Sequence, residues 1–202
     1  EAQRPEEAVR DFVAEIGVSV DKKKLARWDG GICVGDHNIA PDFAQMLIDR
    51  VSLVAVAVGL EPGEPGCKPN VLIMAHEDGK AMAARMVQDH RVIFDPLFSE
   101  GTNLGRKALE RFTTSDAPVR WWHRTQTVMA DTGEPFGRGD AVRVRGSGRT
   151  ISNVRQEMVN ILIVLDTGRI GSVSFGSLSD YVSMIALAQL DETVQGILAR
   201  AR

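Results

Sequence analysis

The sequence predicts an α/β fold of the α+β type, in which helices flank one mixed central sheet. Residues 70–75 and 161–165 form continuous apolar runs of the length that occupies the middle of a sheet. Segments with a helical spacing of apolar residues alternate with the strands, which argues against a helical bundle or a β-sandwich. A chain of 202 residues with 44% hydrophobic content can bury one sizeable core. We therefore expect a single domain over residues 1–202.

The first half of the chain contains two predicted helices and two predicted strands. Pro5 and two glutamates open the first helix, where the helix macrodipole favours acidic residues, and Gly59 ends the second. The first strand is entered through the turn Asp29-Gly30-Gly31. In chain order we predict helix 5–16, strand 25–34, helix 41–60 and strand 70–75.

The second half alternates in the same way. A helix capped by the Asp78 side chain is expected to reach about residue 90. Valine, tryptophan and threonine favour a strand over 119–129. The remaining predictions are helix 105–112, strand 119–129, a short helix 149–158, strand 161–165 and helix 177–190. Residues 135–148 are rich in glycine and arginine and are predicted to form a mobile loop.

Two cysteines, Cys33 and Cys67, lie beside turn-forming residues and are predicted to form a disulfide. In the chain-entropy model, closing a loop of this length stabilises a fold by roughly 4 kcal/mol. The bridge would clamp the helix 41–60 into the sheet. Paired cysteines are typical of oxidising compartments, so we expect a periplasmic or secreted protein. The alternative is a cytosolic protein with two unpaired, partly buried thiols.

The start of the chain and its charge bear on partners. The chain begins with Glu1 and a polar stretch, as expected after removal of a signal peptide or of a fusion tag. A formal net charge of -3 gives no bias toward nucleic acid. The longest apolar stretches are interrupted by charged residues well short of a membrane span. We expect no nucleic-acid partner and no transmembrane segment.

One segment, His76-Glu77-Asp78-Gly79-Lys80, begins like the zinc-protease motif, in which two histidines one helical turn apart bind one zinc ion. Lys80 stands at the place of the second histidine, so the segment is predicted to be an ordinary strand-to-helix turn. The four histidines of the chain are scattered, and no pair has the spacing of a helical zinc site. The sequence predicts neither a metal site nor a cofactor.

Consecutive large side chains at Trp121, Trp122 and His123 mark a candidate contact surface. Neighbouring side chains in a strand point to opposite faces, so one ring lies near the surface unless helices cover both faces. An exposed Trp122 beside His123 would suit a ligand or partner contact. The alternative is one core ring and one ring under a neighbouring helix. Arg149 and the nearby arginines suit either an anion-binding patch or an ordinary solvated loop.

Five segments form a recognisable series: Arg27-Trp28, then 43–50 (FAQMLIDR), 64–73 (EPGCKPNVLI), 117–122 (APVRWW) and 178–189 (LSDYVSMIALAQ). In this order they resemble a family of uncharacterised secreted proteins from alphaproteobacteria. The resemblance covers most of the chain. It implies export and no particular activity.

The order of helix, strand and late helix is also similar to the DUF2927 group of envelope proteins, which implies a zincin-like peptidase layout. Residues 180–184 (DYVSM) occupy the stretch that corresponds to the metal-binding helix. This helix carries neither the histidines that bind zinc nor the glutamate that activates a water molecule. The resemblance therefore implies a zincin-like fold that does not hydrolyse peptides by the zinc mechanism.

Two functional hypotheses follow. The first is a non-catalytic exported envelope protein that binds a partner protein, a peptide or a cell-wall component through a degenerate peptidase-like cleft. The second is a hydrolase of unrecognised type whose site is assembled from His123, Arg149, Asp180 and Tyr181. A pocket converging on those side chains favours the enzyme, and an apolar groove favours the binding protein. The candidate contact residues are Trp122, His123, Arg149, Asp180, Tyr181 and Gln189.

Overall fold

A computed structural model describes residues 17, 25–94, 105–135 and 153–190. In these ranges the chain forms one mixed four-stranded sheet with helices on both of its faces, which confirms the predicted α+β class. The strands are β1 (Val34–His37), β2 (Val71–His76), β3 (Val119–Met129) and β4 (Val154–Asp166). The helices are α1 (Pro41–Ala57), α2 (Gly79–Asp89), α3 (Arg91–Phe94), α4 (Gly105–Thr114) and α5 (Phe175–Leu187).

The strands lie in the order β1-β2-β4-β3. β1, β2 and β4 run parallel to one another, and β3 runs antiparallel to β4. Parallel neighbours need crossover connections, and helices in those connections cover the sheet. Strands covered on both faces carry continuous apolar runs, which explains the composition of β2 and of the last part of β4.

Helices α1 and α5 cover one face of the sheet, called the α5 face below. Its core joins Val51 and Ala55 of α1 to Val182 and Ile185 of α5, over strand residues such as Ile163. All five of these side chains are fully buried. Burying a large aliphatic side chain contributes about 1.5–3 kcal/mol, so this layer is a major source of stability.

Helices α2, α3 and α4 cover the opposite face, called the α2 face. Phe94, Phe112 and Trp122 form an aromatic cluster there, with neighbouring ring centroids 5.7 to 6.2 Å apart. Trp121 lies on the α5 face, edge-on to Tyr181. Both tryptophans are fully buried. This confirms the interpretation in which neighbouring elements cover both rings, and it leaves Trp122 without an exposed contact surface.

A bulge divides β4 into two parts. Arg124 pairs with Asn160 and Thr125 pairs with Met158, so Val159 is an extra residue without a partner on β3. After the bulge, toward the carboxyl end of β4, the odd-numbered residues of the strand face α5. Before the bulge, the even-numbered Met158 faces α5. The strand therefore changes which residues it turns to each face halfway along its length.

The prediction of a short helix over 149–158 is wrong from Val154 onward, where the chain is part of β4. The bulge explains the error. It places the apolar residues Val154, Met158 and Ile161 four and three positions apart, which is the spacing of one helix face. In the structure these spacings belong to a strand whose alternation is interrupted once.

Several other predicted elements are confirmed. The strand 119–129 has both of its predicted boundaries, and α1, α2, α4 and α5 differ from their predicted boundaries by at most three residues. Asp78 caps α2 by accepting a hydrogen bond from the Ala81 amide at 2.9 Å. The strand predicted over 25–34 is only partly correct, because isolated bridges at Arg27 and Ile32 precede a regular strand that begins at Val34. The predicted helix 5–16 and the predicted loop after residue 135 lie outside the described residues.

The predicted disulfide is confirmed. Cys33 and Cys67 are bonded, and their Cα atoms are 6.0 Å apart. Cys33 immediately precedes β1 and Cys67 precedes β2, so the bridge closes the loop that contains α1. Gly63 lies against it: a Cβ atom at this position would stand 2.6 Å from the Cys67 sulfur. Any side chain at Gly63 would have to displace the bridge.

The described helices are those of a packed domain. The longest, α1, has 17 residues and buries one face through residues such as Leu47 and Val51. None of the helices in the described ranges combines the length and the apolar composition that crossing a bilayer requires.

Candidate functional site

A cavity of about 330 Å³ lies at the carboxyl end of α5. Four separate parts of the chain contribute to its lining: Gly17, the segment 25–28, the residues after α1 and the residues at the end of α5. The principal lining residues are Trp28, Leu60, Leu187, Ala188, Gln189 and Leu190. The lining is mostly apolar, as in pockets that bind ligands by excluding water.

Side chains from distant parts of the chain hold the end of α5. The last carbonyl groups of a helix have no partner within the helix and must find one elsewhere. His123 Nε2 of β3 lies 3.0 Å from the Ile185 carbonyl oxygen. Trp28 Nε1 donates a hydrogen bond to the Ala186 carbonyl oxygen at 3.0 Å. These two bonds fix the helix end against β3 and against the segment 25–28.

Gln189 completes the wall of the cavity. Its Oε1 accepts a hydrogen bond from the Ala26 amide at 2.8 Å, and both residues are buried. A buried amide without an acceptor costs about 1–3 kcal/mol, so this bond favours one position of the chain after α5. Gln189 is one of the predicted contact residues, and the structure places it in the lining.

His123 has no exposed surface and does not belong to the lining. Burial lowers the pKa of His123 to about 4, although hydrogen bonds with the backbone of Ile185 and Ala188 oppose this shift. The imidazole is therefore neutral near pH 7, with Nε2 as the donor to Ile185. Its Nδ1 makes no hydrogen bond within the described part of the chain. The ring therefore acts as a hydrogen-bond donor to a carbonyl group at the end of α5.

A second cavity, of about 530 Å³, adjoins the first at the segment 25–28. It shares Leu25, Arg27 and Trp28 with the first cavity, and its other lining is polar: Asp29, Arg155, Gln156 and Glu157. Arg155 Nη2 lies 2.7 Å from Asp29 Oδ2 and 2.7 Å from Glu157 Oε1. The hydrogen bond that Arg155 donates to the Glu157 carboxylate raises the pKa of Arg155. An apolar cavity and a charged one therefore meet at one short segment.

Two other predicted contact residues lie on α5 but outside the lining. Asp180 is exposed and is hydrogen-bonded to Arg50 of α1. Tyr181 is buried against Trp121, with 6.3 Å between ring centroids, and burial raises its pKa. The two residues thus point in different directions, one to solvent and one into the core.

The remaining predicted contact residues, Trp122 and Arg149, are not among the residues that line the cavity. Trp122 is buried on the α2 face, and Arg149 lies outside the described residues. Of the residues predicted for a hydrolase, His123 and Tyr181 are buried and Asp180 is at the surface. The described members of that set do not converge on an accessible point.

Sequence reasoning missed most of the lining. Trp28 appeared only in a predicted strand and in a family resemblance. Leu187 and Ala188 appeared only in a predicted helix and in that resemblance, and Leu190 only in the predicted helix. One local signal was present in the sequence. Apolar residues continue past Leu187, where α5 ends, so they do not belong to the buried face of that helix. Trp28 could not be paired with them, because it lies 158 residues from Ala186, its hydrogen-bond partner.

A buried ion pair lies at the other end of β4. Arg120 Nη2 is 3.7 Å from Asp166 Oδ2, and both side chains are fully buried. Burial lowers the pKa of Arg120, and the Asp166 carboxylate opposes the shift. The Gly79 amide donates to the same oxygen at 3.0 Å, which anchors the start of α2.

Within the described ranges, no three histidine, cysteine, aspartate or glutamate side chains converge as a metal-binding group would.

Comparison with known proteins gives no match to a family model, to a curated protein or to a solved structure. The resemblance to secreted and zincin-like proteins therefore stays a prediction.

Proposed function

We propose that the protein is an exported, non-catalytic binding protein that takes an apolar segment of a partner protein or peptide into the cavity at the end of α5. The observation that carries the proposal is the lining, in which the side chains are mostly apolar and the buried polar groups Trp28 Nε1 and Gln189 Oε1 are bonded to the backbone. Such a surface binds apolar side chains by releasing water. In this proposal the cavity is the cleft that the family resemblance implies.

The size of the cavity restricts the ligand. About 330 Å³ suits one or two side chains of the size of leucine or phenylalanine. Transferring one such side chain from water contributes about 1.5–3 kcal/mol. Association costs at least about 4 kcal/mol in lost translational and rotational freedom, so a stable complex needs further contacts around the cavity.

The polar groups beside the cavity have structural partners. Trp28 Nε1 and His123 Nε2 hold carbonyl groups of α5, and Gln189 Oε1 holds the Ala26 amide. General acid–base catalysis needs a titratable group within hydrogen-bond reach of the substrate. His123 is buried outside the lining, which supports binding rather than proton transfer as the role of this site.

The disulfide supports the exported part of the proposal. Cys33 and Cys67 form a bridge beside the sheet, and such bridges persist in the periplasm and outside the cell. In the cytosol such bridges are rare, because glutathione and thioredoxin keep thiols reduced there.

Small apolar probes test the cavity directly. We expect indole and N-acetyl-leucinamide, titrated separately into nitrogen-15-labelled protein, to shift the NMR signal of the Trp28 indole N–H. The Trp122 indole signal should stay in place, because this ring is buried on the opposite face of the sheet. The two tryptophans thus give a site signal and an internal control in one spectrum.

Ala188→Trp provides a matched variant. Ala188 lines the cavity, so a tryptophan there is expected to occupy the space and weaken probe binding at least about tenfold. Ala84→Trp places the same side chain on an exposed position of α2 and should bind like the unmodified protein. Unchanged binding in Ala188→Trp would refute the cavity as the site. Turnover of an ester or peptide that Ala188→Trp abolishes would favour the hydrolase hypothesis instead.

A further inference from the structure

Helix α1 presents an apolar stripe on the side that faces away from the core. Its buried side is formed by residues such as Leu47 and Val51. Four large apolar side chains on the other side are between 46% and 63% exposed: Phe43, Met46, Leu53 and Val56. Their spacings of three and seven residues keep them on one side of an α-helix. These four residues are called the α1 stripe below.

The α1 stripe is a concentrated feature of the described surface. Of the other large apolar side chains that are exposed in the described ranges, Val58 lines the cavity at the end of α5, and Val92 and Ile93 lie on α3. Phe175 of α5 widens the stripe, because its ring centroid is 5.0 Å from that of Phe43. A contiguous apolar patch on a folded domain indicates an interaction surface.

The α1 stripe is symmetric about its own middle. Phe43 and Val56 are equally far from this point along the helix. Met46 and Leu53 are also equally far from it. A two-fold axis through the middle would make two copies of α1 run antiparallel, with Phe43 of one copy against Val56 of the other. Met46 would then face Leu53, and every contact would occur twice, as a two-fold interface requires.

The charged side chains near this middle point have partners within their own chain. Arg50 is hydrogen-bonded to Asp180 of α5. Gln45 Nε2 donates a hydrogen bond to Asp49 Oδ1 at 2.7 Å. Burying a charge is costly when it has no partner, and here each charge keeps one. A second copy can therefore approach the stripe without leaving these groups unpaired.

The area of the stripe sets the strength of such a contact. At about half exposure, four side chains of this size present roughly 400 Å² of apolar surface on each copy. Two copies would bury about 800 Å² of it, and flanking residues such as Phe175 bring the total near the ~1,000 Å² that a specific interface needs. An interface at this lower limit is weak, so we expect a dissociation constant of about 10–100 μM.

We propose that the protein forms a two-fold symmetric dimer through the α1 stripe, with the two copies of α1 antiparallel. The partner that covers the stripe is a second copy of this chain. The symmetry of the stripe carries the inference, because an unrelated partner would not require it. The inference goes beyond the proposed function, since no residue of the stripe lines either cavity.

Sedimentation equilibrium of the full chain over a range of concentrations measures the association. We expect an average mass near 22.0 kDa in dilute solution and a rise toward twice this value at about 500 μM. A mass that stays at that of one chain at about 500 μM would overturn the proposal, whatever else covers the stripe.

Leu53→Lys tests whether the stripe is the interface. Leu53 is exposed, so the variant should keep its far-UV circular dichroism while its dimer weakens at least about tenfold. Val92→Lys makes the same kind of change at another exposed apolar position, on α3, and should dimerise like the unmodified protein. Dimerisation that Leu53→Lys leaves unchanged would overturn the proposal.

A charge pair tests the antiparallel arrangement. Met46→Lys and Leu53→Glu should each weaken the dimer at least about tenfold. The two positions are seven residues apart, about 10 Å along the helix, so the introduced charges cannot pair within one chain. In an antiparallel dimer the introduced lysine of one copy faces the introduced glutamate of the other. The double variant should therefore associate at least about fivefold more tightly than either single variant.

The outcomes separate this inference from the proposed function. A double variant that associates no better than the single variants would overturn the antiparallel dimer. Leu53→Lys should bind indole at Trp28 as the unmodified protein does, because Leu53 lies outside the cavity. Failure of indole to reach Trp28 would therefore refute the cavity and leave the dimer standing, whereas loss of the dimer leaves the cavity standing.

Discussion

At the scale of single residues, His123 links the sheet to the end of α5. Its Nε2 is 3.0 Å from the Ile185 carbonyl oxygen, and the ring has no exposed surface. The charged form would lose its hydration there, and this loss outweighs the hydrogen bonds that favour it. Protonation of His123 therefore works against folding.

This arrangement predicts a loss of stability in mild acid. The pKa of His123 falls from 6.5 in an unfolded chain to about 4 in the folded protein, so the unfolded state binds more protons between these values. The contribution to the free energy of unfolding is complete above pH 6.5 and declines as pH falls toward 4. The decline amounts to about 1.4 kcal/mol per pH unit, or about 3 kcal/mol over the window. Urea unfolding at several pH values measures it.

His123→Gln is the control for this pH dependence. Glutamine can still donate a hydrogen bond to the Ile185 carbonyl oxygen but does not titrate. The variant should show a shallower dependence of stability on pH between 6.5 and 4 than the unmodified protein. Equal slopes in the two proteins would show that His123 does not cause the loss.

Residue identities predicted only part of the site. Gln189 was singled out and lines the cavity, whereas Trp28 was not, because its role depends on a hydrogen bond to Ala186 across most of the chain. Asp180 and Tyr181 are neighbours in sequence, but the helix directs one to Arg50 at the surface and the other to Trp121 in the core. Which helix positions face a cavity depends on tertiary packing, which a single sequence does not record.

At the scale of secondary-structure elements, the disulfide closes the loop that runs from the start of β1 through α1 to the start of β2. Replacing Cys33 and Cys67 together by serine should lower the free energy of unfolding by about 4 kcal/mol, because the unfolded chain regains the freedom of the closed loop. Urea unfolding measures the change. The secondary structure of the double variant, followed by far-UV circular dichroism, should stay the same at low urea.

Reduction of the unmodified protein is the control for this prediction. After reduction and alkylation, its unfolding midpoint should approach that of the double serine variant. A loss below about 1 kcal/mol in either case would contradict the prediction and would mean that the unfolded chain is already restricted without the bridge.

The elements themselves were predictable where their signals are local. Asp78 and the apolar run before it define the boundary between β2 and α2. The first part of β4 was not predictable, because Val159 interrupts the alternation and the strand that pairs on either side of it, β3, is distant in sequence. The segment before β1 was predicted to be a strand, but its pairing partners are Glu157 and Pro62, both distant in sequence. Irregular pairing of this kind is determined by the partner strands.

At the scale of the whole molecule, both hydrophobic layers share the strands β3 and β4, so we expect them to unfold together. Phe112→Ala removes a fully buried ring from the α2 face and should destabilise the protein by about 3–5 kcal/mol. The Trp28 indole signal, on the α5 face, should then disappear at the same lowered urea concentration as the far-UV circular dichroism. NMR and circular dichroism on the same urea series measure this coupling.

Val92→Ala is the matched control on α3. Val92 is 68% exposed, so its truncation should change the free energy of unfolding by no more than about 0.5 kcal/mol. If Trp28 keeps its native signal in Phe112→Ala after circular dichroism reports partial unfolding, the two layers are separate cooperative units. The single domain predicted from the sequence would then be wrong in its thermodynamic sense.

The extra residue in β4 constrains how the chain can change over evolution. Val159 sets the phase between the two parts of the strand. Its deletion would turn Arg155 and Glu157 toward the core and would turn Met158 toward the opposite face. The second cavity would lose its charged lining in a single step. At this position the presence of a residue matters more than its identity, so related chains should tolerate substitutions here far better than insertions or deletions.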